Sequence, residues 1–315
     1  SSVPQPVPYV YGQTLVKLMK KDDRIVSLCA DVQWPTENDY IKKHFPDRYY
    51  QMGIAEANMM GVASGLAMSG LKPIVYTITP FTTTRCFEQI RVDACYHNVN
   101  VIIVGTGSGL SYASLGPTHH SLEDLAIFRV LPHMTILAPA DEVELKMALR
   151  EALKLKGPVY IRIGKKGEKI VTSPDEKFEI GKSINHLKGK DIAYIVSGIV
   201  LPNVLSASKE LINLGFSPNV DSFHTVKPLD EEKLEDIFTK FNKVCVVEEH
   251  SKIGGLFGAV CEWYVQSKFK EKKIISFGTP DEFMHEVGSQ DYAREKYGLS
   301  PEKILKKSIE LLDKE

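Results

Sequence analysis

One carboxylate, Glu56, stands in a stretch that is otherwise apolar, small or uncharged, QMGIAEANMMGVASGLA at residues 51–67. An acid in a dry setting is a candidate for proton chemistry, because the surroundings decide how readily it binds a proton. The same acid could instead complement the positive end of a helix dipole, an interaction worth about 0.3–1 kcal/mol. The local sequence leaves both interpretations open.

A second candidate group is GPTHH at residues 116–120. Imidazole changes charge near neutral pH, so His119 and His120 could serve as hydrogen-bond partners or proton carriers. A polar pair in a loop is the simpler interpretation of the local sequence. The nearby GTGSG at 105–109 follows a predicted strand without the spacing of a dinucleotide fingerprint, and we interpret it as a tight turn.

The elements that must position these residues follow an alternating pattern. Short β-branched runs, among them RIVSLCA, KPIVYTI and VNVIIVGTG, are separated by longer helical patterns such as EANMMGVASGLAMSG. This alternation is typical of βαβ units around a mainly parallel sheet. It predicts an α/β fold with helices on both faces of the sheet.

The chain is long enough for two domains. Between about residues 164 and 190 the composition shifts to charged and turn-forming residues, and a second alternating series follows. We therefore predict a first α/β domain at 1–175, a linker at 176–190 and a smaller α/β domain at 191–315.

The composition argues against several partners and locations. Lys and Arg total 39 against 40 for Asp and Glu, a formal net charge of −1, which provides no general attraction for nucleic acid or a membrane surface. The five cysteines form no C-x-x-C pair, which fits a reducing compartment. With neither an export signal nor a run long enough to cross a bilayer, we expect a cytoplasmic protein.

The order and spacing of several motifs resemble a known family. MGIAEANMMGVASGLAMSGLKPIV, RCFEQIR, GPTHHSLEDLAIFR, HMTILAPADEVE and GPVYIRIGK resemble the pyrimidine-binding domain of the transketolase family. VDSFHTVKPLDEE, VVEEHSKIGGLFGAV and SFGTPDEFMHEVGSQDYAREKYGLSPEKI resemble its C-terminal domain. The resemblance covers nearly the whole chain and implies thiamine diphosphate as cofactor.

The resemblance implies a set of cofactor-binding residues. Glu56 corresponds to the glutamate that hydrogen-bonds a pyrimidine nitrogen of thiamine diphosphate, and is thus a catalytic candidate. Phe81 is expected to pack on the pyrimidine face, although a core position would explain it nearly as well. Asp31 and Val32 resemble the segment that meets the cofactor near a subunit interface. Arg85 resembles an arginine that supports the site or the interface in split relatives.

The resemblance also implies substrate contacts. His119, in the family's G-P-T-H motif, is expected beside the donor hydroxyls as hydrogen-bond partner or proton carrier, with His120 next to it. Lys165 stands where relatives have a phosphate-binding arginine, but it lacks the bidentate fork. Leu115 replaces a usual Asp and Gly107 replaces a transketolase His. We therefore expect a donor or acceptor that is less hydroxylated or differently configured than pentose phosphates.

The resemblance predicts a separate partner chain. Whole transketolases hold Mg²⁺ and the diphosphate with a G-D-G motif and a following Asn in an N-terminal domain, and this chain has neither a Gly-Asp nor an Asp-Gly dipeptide. We expect no metal ligand here and an N-terminal transketolase-like subunit that carries them. Gly61 and Gly65 leave one face of a helix bare, which suits a tight interface in an assembly with two copies of each subunit.

The leading functional prediction is a transketolase-type subunit that transfers a two-carbon ketol unit from a ketose-like donor to an aldehyde acceptor. Two enzyme alternatives stay open, a 2-oxo-acid decarboxylating synthase similar to deoxyxylulose-phosphate synthase and a dehydrogenase β subunit. The third alternative is a scaffold subunit that has lost its chemistry.

Overall fold

The structure of the protein, a computed structural model, describes residues 5–32 and 38–313. Within these residues the strands are β1 Ile25–Cys29, β2 Tyr49–Gln51, β3 Lys72–Ile78, β4 Ile102–Thr106, β5 Thr135–Leu137, β6 Val159–Arg162, β7 Ile184–Leu187, β8 Ile192–Ser197, β9 Pro218–Ser222, β10 Thr225–Lys227, β11 Lys243–Ser251 and β12 Lys273–Thr279. The α-helices are α1 Val7–Met19, α2 Asn38–His44, α3 Glu56–Met68, α4 Thr79–Thr82, α5 Phe87–Gln89, α6 Asp124–Arg129, α7 Glu142–Ala152, α8 Leu201–Asn213, α9 Glu231–Lys240, α10 Leu256–Gln266, α11 Gln290–Lys296 and α12 Pro301–Leu312.

The first sheet has seven strands in the order β10-β5-β6-β4-β3-β1-β2. All of its neighbouring strands run parallel except β10, which pairs antiparallel with β5 at the edge. Every residue of β1, β4 and β6 is buried. Burial on both faces is what a parallel sheet covered by helices requires, and it confirms the predicted α/β class.

Two apolar clusters cover the faces of this sheet. Along β1, Ile25 and Cys29 belong to a cluster with α1 and α7, while Val26 and Leu28 belong to one with α3, α6 and α9. This alternation follows from the two-residue period of a strand. Helices of both the first and the second half of the chain therefore enclose the sheet.

The second sheet has five strands in the order β12-β11-β8-β9-β7, and β7 alone is antiparallel to its neighbour. One face packs against α8 and α12. Its other face contributes Ile195 and Val246 to the same apolar cluster that holds Leu28 of the first sheet. The two sheets thus share a continuous core.

Two short strands lie where the sequence analysis did not place them. The strand β7 falls inside the predicted linker, where Ile184 is buried and Leu187 packs against the core of the second sheet. The strand β10 comes from the second half of the chain and completes the edge of the first sheet. The predicted domain boundaries, at residues 175 and 190, stay a prediction. The strands β7 and β10 connect the two halves of the chain across them.

Candidate active site

The carboxyl ends of β1, β3, β4 and β6 lie along one edge of the first sheet, because these strands are parallel. The segments that follow them carry four predicted site residues, Asp31, Phe81, Gly107 and Lys165. Ligands of open parallel sheets bind at this edge. The edge therefore positions the candidate site.

Glu56 is the first residue of α3 and is only 4% exposed. No side chain caps this end of α3 among the described residues. The first N–H groups of a helix carry partial positive charge, so they favour a carboxylate here. The position of Glu56 agrees with the dipole interpretation. The helix dipole does not account for the contacts that its carboxylate makes with other side chains.

Arg85 binds this carboxylate and covers a neighbouring aromatic ring. Its Nη1 donates a hydrogen bond to Oε1 of Glu56 at 2.9 Å, and its guanidinium carbon lies 3.9 Å from the ring centroid of Phe81. The Arg85 side chain remains 45% exposed. Among the described residues, no other group donates a hydrogen bond to the Glu56 carboxylate. Its second oxygen, Oε2, is therefore left to accept a hydrogen bond from a ligand.

His119 joins this group through the ring of Phe81. The two rings meet edge to face with centroids 5.4 Å apart, and Nδ1 of His119 lies 2.9 Å from the hydroxyl of Thr118. Burial lowers the pKa of His119 below its usual value, and the nearby positive charges of Arg85 and Lys165 lower it further. These effects favour the uncharged imidazole, which can accept or donate a proton.

Lys165, just after β6, also lies near His119. Its ammonium nitrogen is 4.2 Å from the ring centroid of Tyr112, a cation–π contact, and it forms no ion pair with any described residue. Partial burial, and then the charge of Lys166, lower the pKa of Lys165. With Arg85, this ammonium makes the surroundings of His119 positively charged.

Residue 107 has no room for a side chain, because the ring of Tyr112 occupies the space beside it. The residue has a φ of +69°, and a Cβ added there would lie 1.9 Å from Cε2 of Tyr112. The segment GTGSG is accordingly a tight turn at the end of β4. Tyr112 was not among the predicted site residues. The only indication in the sequence is that it is the one large aromatic residue in LSYAS, between GTGSG and GPTHH.

Four other predicted residues are less closely involved. His120 is buried, and its Nε2 has no hydrogen-bond partner among the described residues. Leu115 is 51% exposed at the end of a 3₁₀ turn. Asp31 is exposed with a φ of +48°, and its main-chain N–H donates to the side-chain oxygen of Gln51 at 2.8 Å. Val32 packs in the core beside β1. Their roles stay predictions.

The second domain anchors the loop that leads to His119. Oε1 of Glu249, in β11, accepts the N–H of Leu110 at 2.7 Å, and a Cβ at Gly109 would lie 2.6 Å from that oxygen. Nε of Arg294, in α11, donates to Oε2 of Glu249 at 2.6 Å. Residues from the second sheet therefore fix the position of a loop on the first.

A buried ion pair between Arg162 and Asp124 also holds the end of this loop. Nε of Arg162 donates to Asp124 at 2.8 Å, and its Nη2 donates to the main-chain oxygens of Ser121 and Glu249, both at 2.8 Å. Burial alone would raise the pKa of Asp124, but the charges of Arg162 and His250, together with hydrogen bonds from Arg162 and Tyr160, outweigh burial and lower that pKa. One guanidinium thus joins β6, α6 and β11.

Two further properties concern metals and membranes. Within residues 5–32 and 38–313, no group of three or more His, Cys, Asp or Glu side chains is arranged to hold a metal ion. In the same part of the chain, no helix combines the length and the apolar composition that crossing a membrane requires.

Comparison with known families matches both halves of the chain. The pyrimidine-binding domain of transketolase matches residues 6–167, and the transketolase C-terminal domain matches residues 181–304.

Individual proteins are similar over nearly the whole length. The 6-deoxy-6-sulfo-D-fructose transketolase subunit SqwH of Clostridium sp. (strain MSTE9) is 34% identical over 96% of this chain and 94% of its own. An apulose-4-phosphate transketolase subunit of Phocaeicola vulgatus is 32% identical over 96% of each chain. A solved structure described as split gene transketolase, inactive β4 tetramer, has a TM-score of 0.89 at 36% identity, with 98% of both chains covered.

Proposed function

Because the chain belongs to the transketolase family, we propose that it is the C-terminal subunit of a split transketolase that depends on thiamine diphosphate. In this proposal the enzyme transfers a two-carbon ketol unit from a ketose-like donor to an aldehyde acceptor. The observation that carries it is the buried carboxylate of Glu56, which has one oxygen held by Arg85 and the other without a donor among the described residues.

The residues around Glu56 fit the pyrimidine end of the cofactor. Oε2 of Glu56 would accept a hydrogen bond from a ring nitrogen, and Arg85 would keep the carboxylate in place by holding Oε1. Phe81 would pack against the ring, and Asp31 and Val32 would flank it at the end of β1. Such hydrogen bonds are stronger where water is excluded. When bound, thiamine diphosphate supplies the electron sink for the two-carbon transfer.

His119 would act on the substrate. Its lowered pKa favours the uncharged imidazole, which would donate a hydrogen bond to a hydroxyl or accept its proton. His120, next to it, would line the same loop.

The charges around the site favour an anionic substrate. Lys165 and Arg85 are positive and partly exposed, whereas Leu115 offers no hydrogen bond and Gly107 has no side chain. A sugar that ends in an oxyanion and bears few hydroxyls near residues 107 and 115 fits this arrangement. Two relatives, the 6-deoxy-6-sulfo-D-fructose transketolase subunit and the apulose-4-phosphate transketolase subunit, are named for sugars that carry an oxyanion, which supports this substrate class.

We propose that the remainder of the site comes from an N-terminal transketolase-like subunit that binds Mg²⁺ and the diphosphate. Ile54, Met68 and Tyr96, which lie at the ends of α3 or in a segment that packs against it, are exposed apolar side chains. A Cβ at Gly65 would meet no atom of the described residues within 4 Å. A partner chain would bury this surface. The relatives that are named as subunits support a partner, and the relative described as a β4 tetramer supports self-association of this chain.

The test is the Glu56→Gln variant in the complex of this chain with its partner, purified together from its own cells. We expect a loss of about 10²-fold or more in kcat for two-carbon transfer, together with weaker thiamine diphosphate binding by calorimetry. The matched control is Glu88→Gln, because Glu88 is an exposed acid of the neighbouring helix that, within the described part of the chain, pairs only with Arg91. Full activity and unchanged cofactor affinity in Glu56→Gln would refute the assignment.

The same preparation separates the alternatives. Release of CO₂ from a 2-oxo acid, with no transfer from a ketose, would favour the decarboxylating synthase or the dehydrogenase β subunit. A wild-type complex that binds no thiamine diphosphate would favour the scaffold.

A further inference from the structure

The ring of Tyr112 forms the wall of the site next to Gly107. Tyr112 is only 5% exposed, although Leu115, three residues later, is half exposed. Any side chain at residue 107 would overlap this ring, because a Cβ there would lie 1.9 Å from Cε2. At this point the site is therefore lined by the aromatic ring of Tyr112 and not by a side chain of residue 107.

The same ring is the only aromatic contact that the structure gives for the Lys165 ammonium within the described residues. The ammonium nitrogen lies 4.2 Å from the ring centroid, and no described carboxylate pairs with it. The segment that carries Lys165 is itself fixed against the turn, since the N–H of Ser108 donates to the main-chain oxygen of Ile163 at 2.9 Å. The main chain is therefore set by β4 and β6, while the end of the lysine side chain lies against the ring of Tyr112.

The ring also borders the proposed reaction centre. Its centroid is 6.0 Å from that of His119, at an interplanar angle of 59°. The charge of Lys165 is close enough to His119 to lower its pKa. The ammonium, the aromatic ring and the imidazole consequently form one group at the mouth of the site.

We propose that Tyr112 is a positioning residue that fixes the Lys165 ammonium beside the site and thereby sets a preference for substrates with a terminal oxyanion. This inference rests on the proposed function and extends it to the residue that decides the substrate class. The aromatic face, not the phenol hydroxyl, is the group that acts, because a cation binds the negative face of the ring.

The first experiment measures this preference in the complex with the partner subunit. Hydroxypyruvate serves as donor, and glyceraldehyde 3-phosphate and glyceraldehyde serve as acceptors with and without an oxyanion. We expect Tyr112→Leu to raise KM for the phosphorylated acceptor about tenfold more than it raises KM for glyceraldehyde, and to change kcat by the same factor with both acceptors. Tyr112→Phe should retain the wild-type preference. The matched control, Tyr292→Leu, removes a half-exposed tyrosine from α11.

A double-mutant cycle with Lys165→Met shows whether the ring acts through the lysine. On the Lys165→Met background, Tyr112→Leu should have no further effect on the phosphate preference. An equal loss for both acceptors, or a loss in Tyr112→Phe as large as in Tyr112→Leu, would overturn the inference.

A second measurement needs neither partner nor substrate, so its failure is distinguishable from failure of the proposed function. The lysines of the isolated chain are ¹³C-methylated, and the Lys165 signal is identified by its loss in Lys165→Arg. Tyr112→Leu should remove the ring-current shift of this signal and lower the pKa of Lys165, because the ring no longer stabilises the ammonium. Tyr112→Phe should preserve both, and an unchanged signal in Tyr112→Leu would overturn the inference.

Discussion

Replacing Arg162 by Met should lower the free energy of unfolding at pH 8 by about 3–5 kcal/mol. The side chains of Arg162 and Asp124 are 2% and 1% exposed, so water does not screen their interaction. The substitution removes hydrogen bonds of 2.8 and 3.1 Å to the carboxylate, and it leaves the main-chain oxygens of Ser121 and Glu249 without this donor. The largest part of the cost is the buried carboxylate of Asp124, which loses its charged partner and keeps only the hydrogen bond from the Tyr160 hydroxyl among the described side chains.

The cost should depend on pH in a defined direction. In the wild type the lowered pKa of Asp124 contributes stability that is present above the unfolded value of about 3.9 and is lost as the pH falls. Without Arg162, burial raises the pKa of Asp124 above that of the unfolded chain. The variant should then lose a further ~1.4 kcal/mol per pH unit above about pH 4, until the carboxyl ionises. Its deficit is therefore smaller at pH 5 than at pH 8.

Urea unfolding and thermal melts at pH 5 and pH 8 measure this deficit, with an expected fall in Tm of roughly 6–12 °C at pH 8. The control is Arg91→Met, which removes an exposed ion pair with Glu88 and should leave both midpoints unchanged. The double variant Asp124→Leu with Arg162→Met should recover more than half of the loss. A double variant as unstable as Arg162→Met, or a deficit that is the same at both pH values, would refute the explanation by an unpaired buried charge.

Three further predictions concern the candidate site. Leu115→Asp should gain activity on common ketose phosphates with little change in Tm, because residue 115 is half exposed; a wild type already efficient on those substrates would contradict this. Lys165→Met should raise the pKa of His119 toward 6.5, since it removes a nearby positive charge. Proton NMR of the imidazole measures this pKa, and an unchanged value would contradict the electrostatic effect of Lys165 on His119. Gly107→Ala should destabilise the protein by about 1–2 kcal/mol from its positive φ alone, with an added cost from displacement of Tyr112; a melt within 1 °C of wild type would contradict this.

Strands β1, β3 and β4 of the first sheet were predictable because they lie in short runs rich in β-branched and other apolar residues. RIVSLCA contains β1, and KPIVYTI coincides with β3. The strand β7 was not predictable, because Ile184–Leu187 lies in a charged, turn-forming stretch without a strand period. The partner of β10 is β5, about ninety residues earlier, and only the folded chain brings them together.

The candidate site was predictable as residue types but not as contacts. Glu56 and His119 stand out by chemistry and by their motifs. The ion pair between Glu56 and Arg85 joins residues 29 positions apart, so no local pattern indicates it. The absence of a side chain at Gly107 likewise had no explanation until the ring of Tyr112 was placed beside it.

The edge strand β10 has a consequence for aggregation. It covers the outer edge of β5, and it is supplied by the part of the chain that also builds the second sheet. If that part unfolds, the main-chain N–H and C=O groups of β5 become open to another chain, and exposed strand edges are templates for intermolecular pairing. Loosening of the second half should therefore expose both this edge and the apolar face that α9 covers, so the C-terminal half also protects the half that carries Glu56 from aggregation.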